Sequence, residues 1–156
     1  MRIEKLAQHR HLIDALVETL HSAWGELPPW SDRRVIRARL ESGASASVFP
    51  HTVVAIDDHD AVAATGSLKL DELPHHADKK HWLGEIFVLE EHRRQGLGSR
   101  VTTALTAHAF GHGVSALYLY TPDQQRLYAR LGWREIGAEN VNGELVSLML
   151  RRPDDA

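Results

Sequence analysis

The sequence contains no cysteine, which excludes disulfides, thiolate nucleophiles and cysteine-ligated zinc. A covalent intermediate would need serine, threonine, lysine or a carboxylate. No apolar run approaches the roughly 18–20 residues that span a bilayer, and Met1-Arg2-Ile3-Glu4-Lys5 is not followed by the apolar stretch of a secretory signal. No membrane partner is therefore expected, and a cytoplasmic location is the default. A formal charge of −3 supplies no basic stripe, so nucleic acid is not expected as a partner either. No repeat, low-complexity tract or linker divides the chain. Its 156 residues are read as one domain, 1–156, within the usual range of about 100–200.

What is present begins with periodicity. Residues 2–6 suggest a short strand. Leu12, Ile13, Leu16, Val17, Leu20 and Trp24 fall at helical spacing and predict an amphipathic helix over about 9–24. Gly25-Glu26-Leu27-Pro28-Pro29 breaks it. Ser31 or Asp32 can cap a second helix with Val35, Ile36 and Leu40 inward and Gly43 near its end. Thr52–Ile56 and Ala61–Leu70 are β-rich and joined by a hairpin turn at Asp57-Asp58-His59-Asp60. Asp71–His81 reads as a surface loop and Trp82–Leu89 as the next strand. Gly96–His112 is a helix, Ala116–Tyr120 a strand, and Gln124–Leu131 a short helix stopped by Gly132. Trp133–Ile136 and Leu145–Leu150 form a last pair turning near Asn142-Gly143. This order predicts an α+β domain on a mostly antiparallel sheet. Strand–helix–strand 82–89, 96–112, 116–120 supplies a parallel pair.

The most informative stretch runs from Ile86-Phe87-Val88 through Leu89-Glu90-Glu91-His92 into Arg93-Arg94-Gln95-Gly96-Leu97-Gly98-Ser99. A strand, a polar turn and two glycines lead into a helix, whose free first-turn N–H groups and dipole favour an anion. Glycine at 96 and 98 removes the Cβ atoms that would hold a phosphate off the backbone. Val101 stands where a Rossmann loop needs its third glycine, and the Gly-Lys-Ser/Thr of a Walker loop is absent.

Arg93-Arg94-Gln95-Gly96-Leu97-Gly98 resembles the R/Q-x-x-G-x-G/A motif of the GNAT acetyltransferases. Downstream, Tyr128-Ala129-Arg130-Leu131-Gly132-Trp133 resembles their Y-x-x-L-G-F/W segment, one helix and one strand further on. Thr121-Pro122-Asp123-Gln124 replaces the asparagine common before that segment. The Asp-Gln pair, with Trp82-Leu83, is similar to a subgroup that includes actin N-terminal acetyltransferases. The resemblance implies the GNAT fold and direct transfer of an acetyl group from acetyl-CoA to a primary amine, a small molecule or peptide N-terminus. It further implies that the parallel pair splays apart at a bulge, with Phe87 and Val88 pairing with the pantetheine arm. Arg93, Arg94, Gln95, Gly96, Leu97, Gly98, Ser99 and Gln124 would hold the cofactor, and Tyr128 would serve as acid. It leaves room for a homodimer and requires no metal. Glu85, on the strand before Val88, is the candidate base, directly or through a water.

Other residues suggest less. The eleven histidines include His75, His76 and His81 in a loop rich in Asp, Glu and Lys, which reads as a solvated surface segment. Ser67 and Ser99 have no nucleophile elbow. Asp123 reads as a helix cap. Trp24, Trp30, Trp82 and Trp133 are core or pocket walls, with Trp30 the one nearest an acceptor. Two other functions fit part of the pattern: an acyl-CoA sensor without catalysis, and an unrelated nucleotide-phosphate binder sharing only the glycine loop.

Overall fold

The β-branched and small residues of the chain's middle build the sheet centre. In a computed structural model that describes residues 1–45 and 48–155, His51–Ile56 (β2) and Val62–Leu70 (β3) are buried along nearly their whole length. Arg2–Lys5 (β1) pairs with β2, and His81–Val88 (β4) pairs with β3, both antiparallel. Leu117–Thr121 (β5), Arg134–Val141 (β6) and Glu144–Arg151 (β7) complete a seven-stranded sheet in the order β1-β2-β3-β4-β5-β7-β6. Every pairing is antiparallel except β4 with β5. The architecture is α+β, as expected.

One face carries helix α3 (Leu97–Gly111), whose Val101, Leu105 and Ala109 are fully buried against Ala64, Leu117 and Leu119. Burying each large aliphatic side chain of this kind contributes about 1.5–3 kcal/mol. The short helix α4 (Gln125–Arg130) joins the same core through Tyr128. The other face carries α1 (Ile13–Trp24) and α2 (Arg33–Gly43), which bury Leu16, Leu20, Ile36 and Leu40 on Val54 and Ile56. No helix among the described residues is long and apolar enough to cross a membrane.

The first helix starts later than its periodicity suggests. Two 3₁₀ turns, Leu6–Gln8 and Arg10–Leu12, precede α1 and still bury Leu6 and Leu12. A 3₁₀ turn satisfies the same apolar spacing, so the pattern alone did not mark the boundary. Asp32, not Ser31, caps α2: its carboxylate accepts the Arg34 N–H at 2.8 Å, while Ser31 Oγ donates to Pro28 O. Val35, read as inward, is 43% exposed, because the helix turns Ile36 and Leu40 to the core instead. β6 is longer than expected, reaching Val141. Its exposed edge position imposes no apolar alternation that a sequence reading could detect. Asn142 (φ 52°) and Gly143 (φ 86°) make the expected tight turn.

Candidate functional site

The parallel pair is the structural anomaly from which the site grows. β4 and β5 share a single register pair, Trp82 with Tyr118, and then separate. On its other side β4 keeps pairing with β3, but Ser67 faces Gly84 while Thr65 faces Phe87. An extra residue is thus inserted in β4, and Glu85 takes the left-handed conformation (φ 58°) that the bulge requires. The strand bends away from β5, and Glu85–Val88 gains an edge without a strand partner. Ribbon-like ligands pair with edges of this kind through backbone hydrogen bonds.

At the end of that edge the chain makes a 3₁₀ turn, Glu90–His92, and enters the glycine loop. Arg94 (φ 64°) and Gly96 (φ 76°) are both left-handed, and Gly96 caps α3 with no side-chain hydrogen bond. The first-turn N–H groups of Leu97, Gly98 and Ser99 therefore have no intrahelical acceptor, an arrangement that favours an anion. A Cβ at Gly98 would lie 3.8 Å from Val88 Cγ2 and 4.0 Å from Leu127 Cδ1, which is ordinary contact. Packing within the protein does not demand that glycine. Arg94 and Gln95 are exposed beside the loop. Arg93 is partly engaged: its Nε donates to Val88 O at 3.1 Å, and its guanidinium lies 5.8 Å from the Phe87 ring centre. It braces the strand end as well as adding charge.

Tyr128 lies on the α3 side of the opening and is 7% exposed. Burial pushes its phenol up to about 12, the Thr102 hydroxyl pulls it back, and Asp123 pushes it up again. Thr102 Oγ1, though near enough for that effect, is buried without a partner in hydrogen-bond geometry. The phenol is thus a proton donor at neutral pH. Gln124 precedes α4 and is exposed; its N–H donates to Thr121 Oγ1 at 3.0 Å, as does that of Asp123 at 3.4 Å. Gln124, not Asp123, stands at the cap position of α4, with no side-chain cap hydrogen bond, and the Thr121 hydroxyl closes the turn before it.

Glu85 lies on the opposite face, in a cleft of about 860 Å³ between α2, β3 and the β3–β4 connection. Its Oε1 meets Arg39 Nη1 at 3.1 Å and Lys69 Nζ at 3.7 Å, while Lys69 also bonds Glu72 at 2.8 Å. Tyr120 donates to Glu72 at 3.4 Å, and burial followed by the Glu72 charge raises its phenol well above the usual range. Neither Tyr128 nor the glycine loop lines this cleft. Trp30 is buried against Trp24 and lies 5.3 Å under the Arg39 guanidinium, so it reaches the cleft through that side chain. Arg39, Lys69, Glu72 and Tyr120 escaped the sequence reading. The alternation Leu117-Tyr118-Leu119-Tyr120 could have flagged the last, but nothing in α2 singles out Arg39.

The sequence model of the acetyltransferase (GNAT) family matches residues 11–133. The chain belongs to that family. No curated protein matches the sequence. Among solved structures, an aminoglycoside 6'-N-acetyltransferase complexed with coenzyme A is similar at 18% identity over 97% of each chain, with a TM-score of 0.78. An aminoglycoside 6'-acetyltransferase type Ii is similar at 21% identity, and the aminoglycoside 6'-N-acetyltransferase from Enterococcus faecium at 18%. Both cover 97% of each chain with a TM-score of 0.75. At such identities these likenesses show a shared fold. The GNAT fold expected from two short motifs is therefore the fold of the whole sheet, with its parallel pair open at Glu85.

Proposed function

We propose that this GNAT protein transfers an acetyl group from acetyl-CoA directly to a primary amine. The observation that carries the reading is the β4–β5 opening, with a phosphate-type loop at one end and a charged cleft on the far face. Gly96, Leu97, Gly98 and Ser99 hold the pyrophosphate through backbone N–H groups, with Arg94 and Gln95 flanking and Gln124 near the opening. Phe87 and Val88 offer backbone groups to the pantetheine arm. One such N–H polarises the thioester carbonyl without any side chain.

Glu85 takes the proton of the incoming ammonium, through a water or directly. Its Oε1 is held by Arg39 and Lys69, which fixes the carboxylate at the cleft. The neutral amine forms the N–C bond as the C–S bond breaks, Tyr128 gives its proton to the departing sulfur, and the proton that the new amide nitrogen sheds returns to the phenolate. No acyl-enzyme forms, which fits a chain without cysteine. An α-amino acceptor, with a reference pKa near 8, asks less of Glu85 than a lysine side chain near 10.4. The neighbours named for aminoglycoside acetylation favour a small polyamine-like acceptor. The Asp123-Gln124 resemblance keeps a peptide N-terminus in view.

The deciding experiment measures free CoA thiol with acetyl-CoA and a panel of small amines and peptides. Acceptor-dependent thiol release supports the reading. Acetyl-CoA binding without release would mark an acyl-CoA sensor, and absence of CoA binding would overturn the cofactor site itself.

A further inference from the structure

The β3–β4 connection, read from sequence as a solvated loop, has a partner that sequence distance conceals. Its Leu73 is buried with Trp82, Val141, Val146 and Leu148, so the segment lies across the sheet toward its far edge. The backbone is fixed at both ends. Asp71 N–H donates to Lys80 O at 2.8 Å, His76 N–H to Leu73 O at 3.0 Å, and Lys79 N–H to His76 O at 2.9 Å. Trp82 Nε1 donates to Lys79 O at 2.7 Å. This frame holds the two adjacent imidazoles with ring centres 4.3 Å apart and both Nε2 atoms turned to one carboxylate. His75 Nε2 meets Glu139 Oε2, and His76 Nε2 meets Glu139 Oε1, each at 2.5 Å. His81 is not part of the group; its ring packs edge-on against Phe49.

We propose that His75, His76 and Glu139 form a surface site for a divalent transition-metal ion, zinc above all, that ties the β3–β4 connection to β6. The three donor atoms lie within 4.8 Å of one another. Two imidazole nitrogens with one carboxylate oxygen suit zinc, nickel or copper, whereas calcium and magnesium demand oxygen donors. Both 2.5 Å contacts are tighter than the roughly 2.7–3.2 Å of an ordinary N–H···O hydrogen bond. Zinc at about 2.0–2.1 Å from each donor sets them a little over 3 Å apart. His75, 57% exposed at its side chain, can move outward by that amount without disturbing the core. The exposed side admits water as a fourth ligand. The same connection supplies Asp71 and Glu72 to the cleft wall, so the ion fixes one side of the acceptor cleft. The site stands independently of the acyl-transfer reading.

The test titrates the metal-free protein with Zn²⁺ alone by calorimetry, alongside Glu139→Gln and His76→Ala, with exposed His59→Ala and His11→Ala as controls. One equivalent should bind to the wild type and both controls, with a rise in Tm. Affinity should fall at least about ten-fold in Glu139→Gln and His76→Ala. Co²⁺ should give the intense visible absorption of a four-coordinate site in the wild type and both controls, and in neither Glu139→Gln nor His76→Ala. Circular dichroism checks that each variant is folded. Zn²⁺ binding unaffected by Glu139→Gln, several weak equivalents shared among scattered histidines, or no binding at all would overturn the proposal.

Discussion

Gly96 and Gly98 differ in what the chain itself asks of them. At Gly96 the backbone sits at φ 76°, where any L side chain is strained, so alanine there costs stability as well as binding. At Gly98 a Cβ meets nothing closer than 3.8 Å. Gly98→Ala should therefore leave the unfolding free energy in urea within about 0.5 kcal/mol of wild type, while weakening acetyl-CoA binding at least several-fold by calorimetry. Equal affinity would remove the pyrophosphate from this helix start. Tyr128 gives a second residue-scale expectation. With its phenol raised to about 12, it is protonated throughout the working range and serves as a donor. Tyr128→Phe should lower kcat by about 10²-fold or more, the usual share of a general acid, with little change in KM for acetyl-CoA. An unchanged kcat would make Tyr128 a packing residue only. Both residues were nominated from sequence because each belongs to a short local pattern: Gly98 to a glycine pair at a helix start, and Tyr128 to a fixed spacing from Gly132. The Arg39–Glu85–Lys69–Glu72 chain was not, since its members come from α2, β3, β4 and the β3–β4 connection and meet only once the sheet is assembled.

Elements follow the same division. Strands β2, β3 and β4 and helix α3 were legible because each buries a face, and burial imposes a period. The bulge in β4 was expected from the family resemblance alone, since nothing in Gly84-Glu85-Ile86 announces an extra residue; the register against β3 places it. β6 lacks a period because it is an exposed edge. The α2–β2 corner is a place where an element's position can be tested. A Cβ on Gly43 would fall 2.0 Å from Thr52 Oγ1 and 2.9 Å from its Cβ, and Thr52 is tied at 2.7 Å to Ser67 in the cleft floor. Gly43→Ala must push α2 off β2 or break the Thr52–Ser67 bond. A loss of about 1–3 kcal/mol is expected in urea unfolding, the usual cost of overpacking. A change in acceptor KM should accompany it, because α2 forms the opposite wall of the cleft. Unaltered stability and KM together would mean that the corner is looser than its geometry.

At the scale of the molecule, the two helical layers clamp one sheet, and a titrating pair lies where β2 meets α3. His51 is 5% exposed, and its ring stacks flat on that of His108, 3.8 Å away with 2° between the planes. His112 packs on His108 at 4.4 Å, and Lys5 adds positive charge nearby. Burial first, then the His108, Lys5 and His112 charges, bring His51 down from 6.5 to about 4, and burial lowers His108 as well. The folded state thus prefers the neutral imidazole. As pH falls below about 6.5 the unfolded chain takes up a proton that the native state refuses until about 4. Stability is complete above 6.5, declines across that window, and levels below it. One pKa unit corresponds to about 1.4 kcal/mol, so the pair should cost the protein about 2–3 kcal/mol between pH 7 and 4. His51→Phe keeps a flat ring against His108 but cannot take up a proton. In urea unfolding followed by circular dichroism, the wild type should lose that much more stability than the variant on going from pH 7 to 4.5. The carboxylates, including Asp57 and Glu139, titrate in both proteins and cancel in the difference. Parallel pH profiles would show that His51 accepts its proton in the folded state as readily as in the unfolded one, and that the stacked pair is no barrier to it.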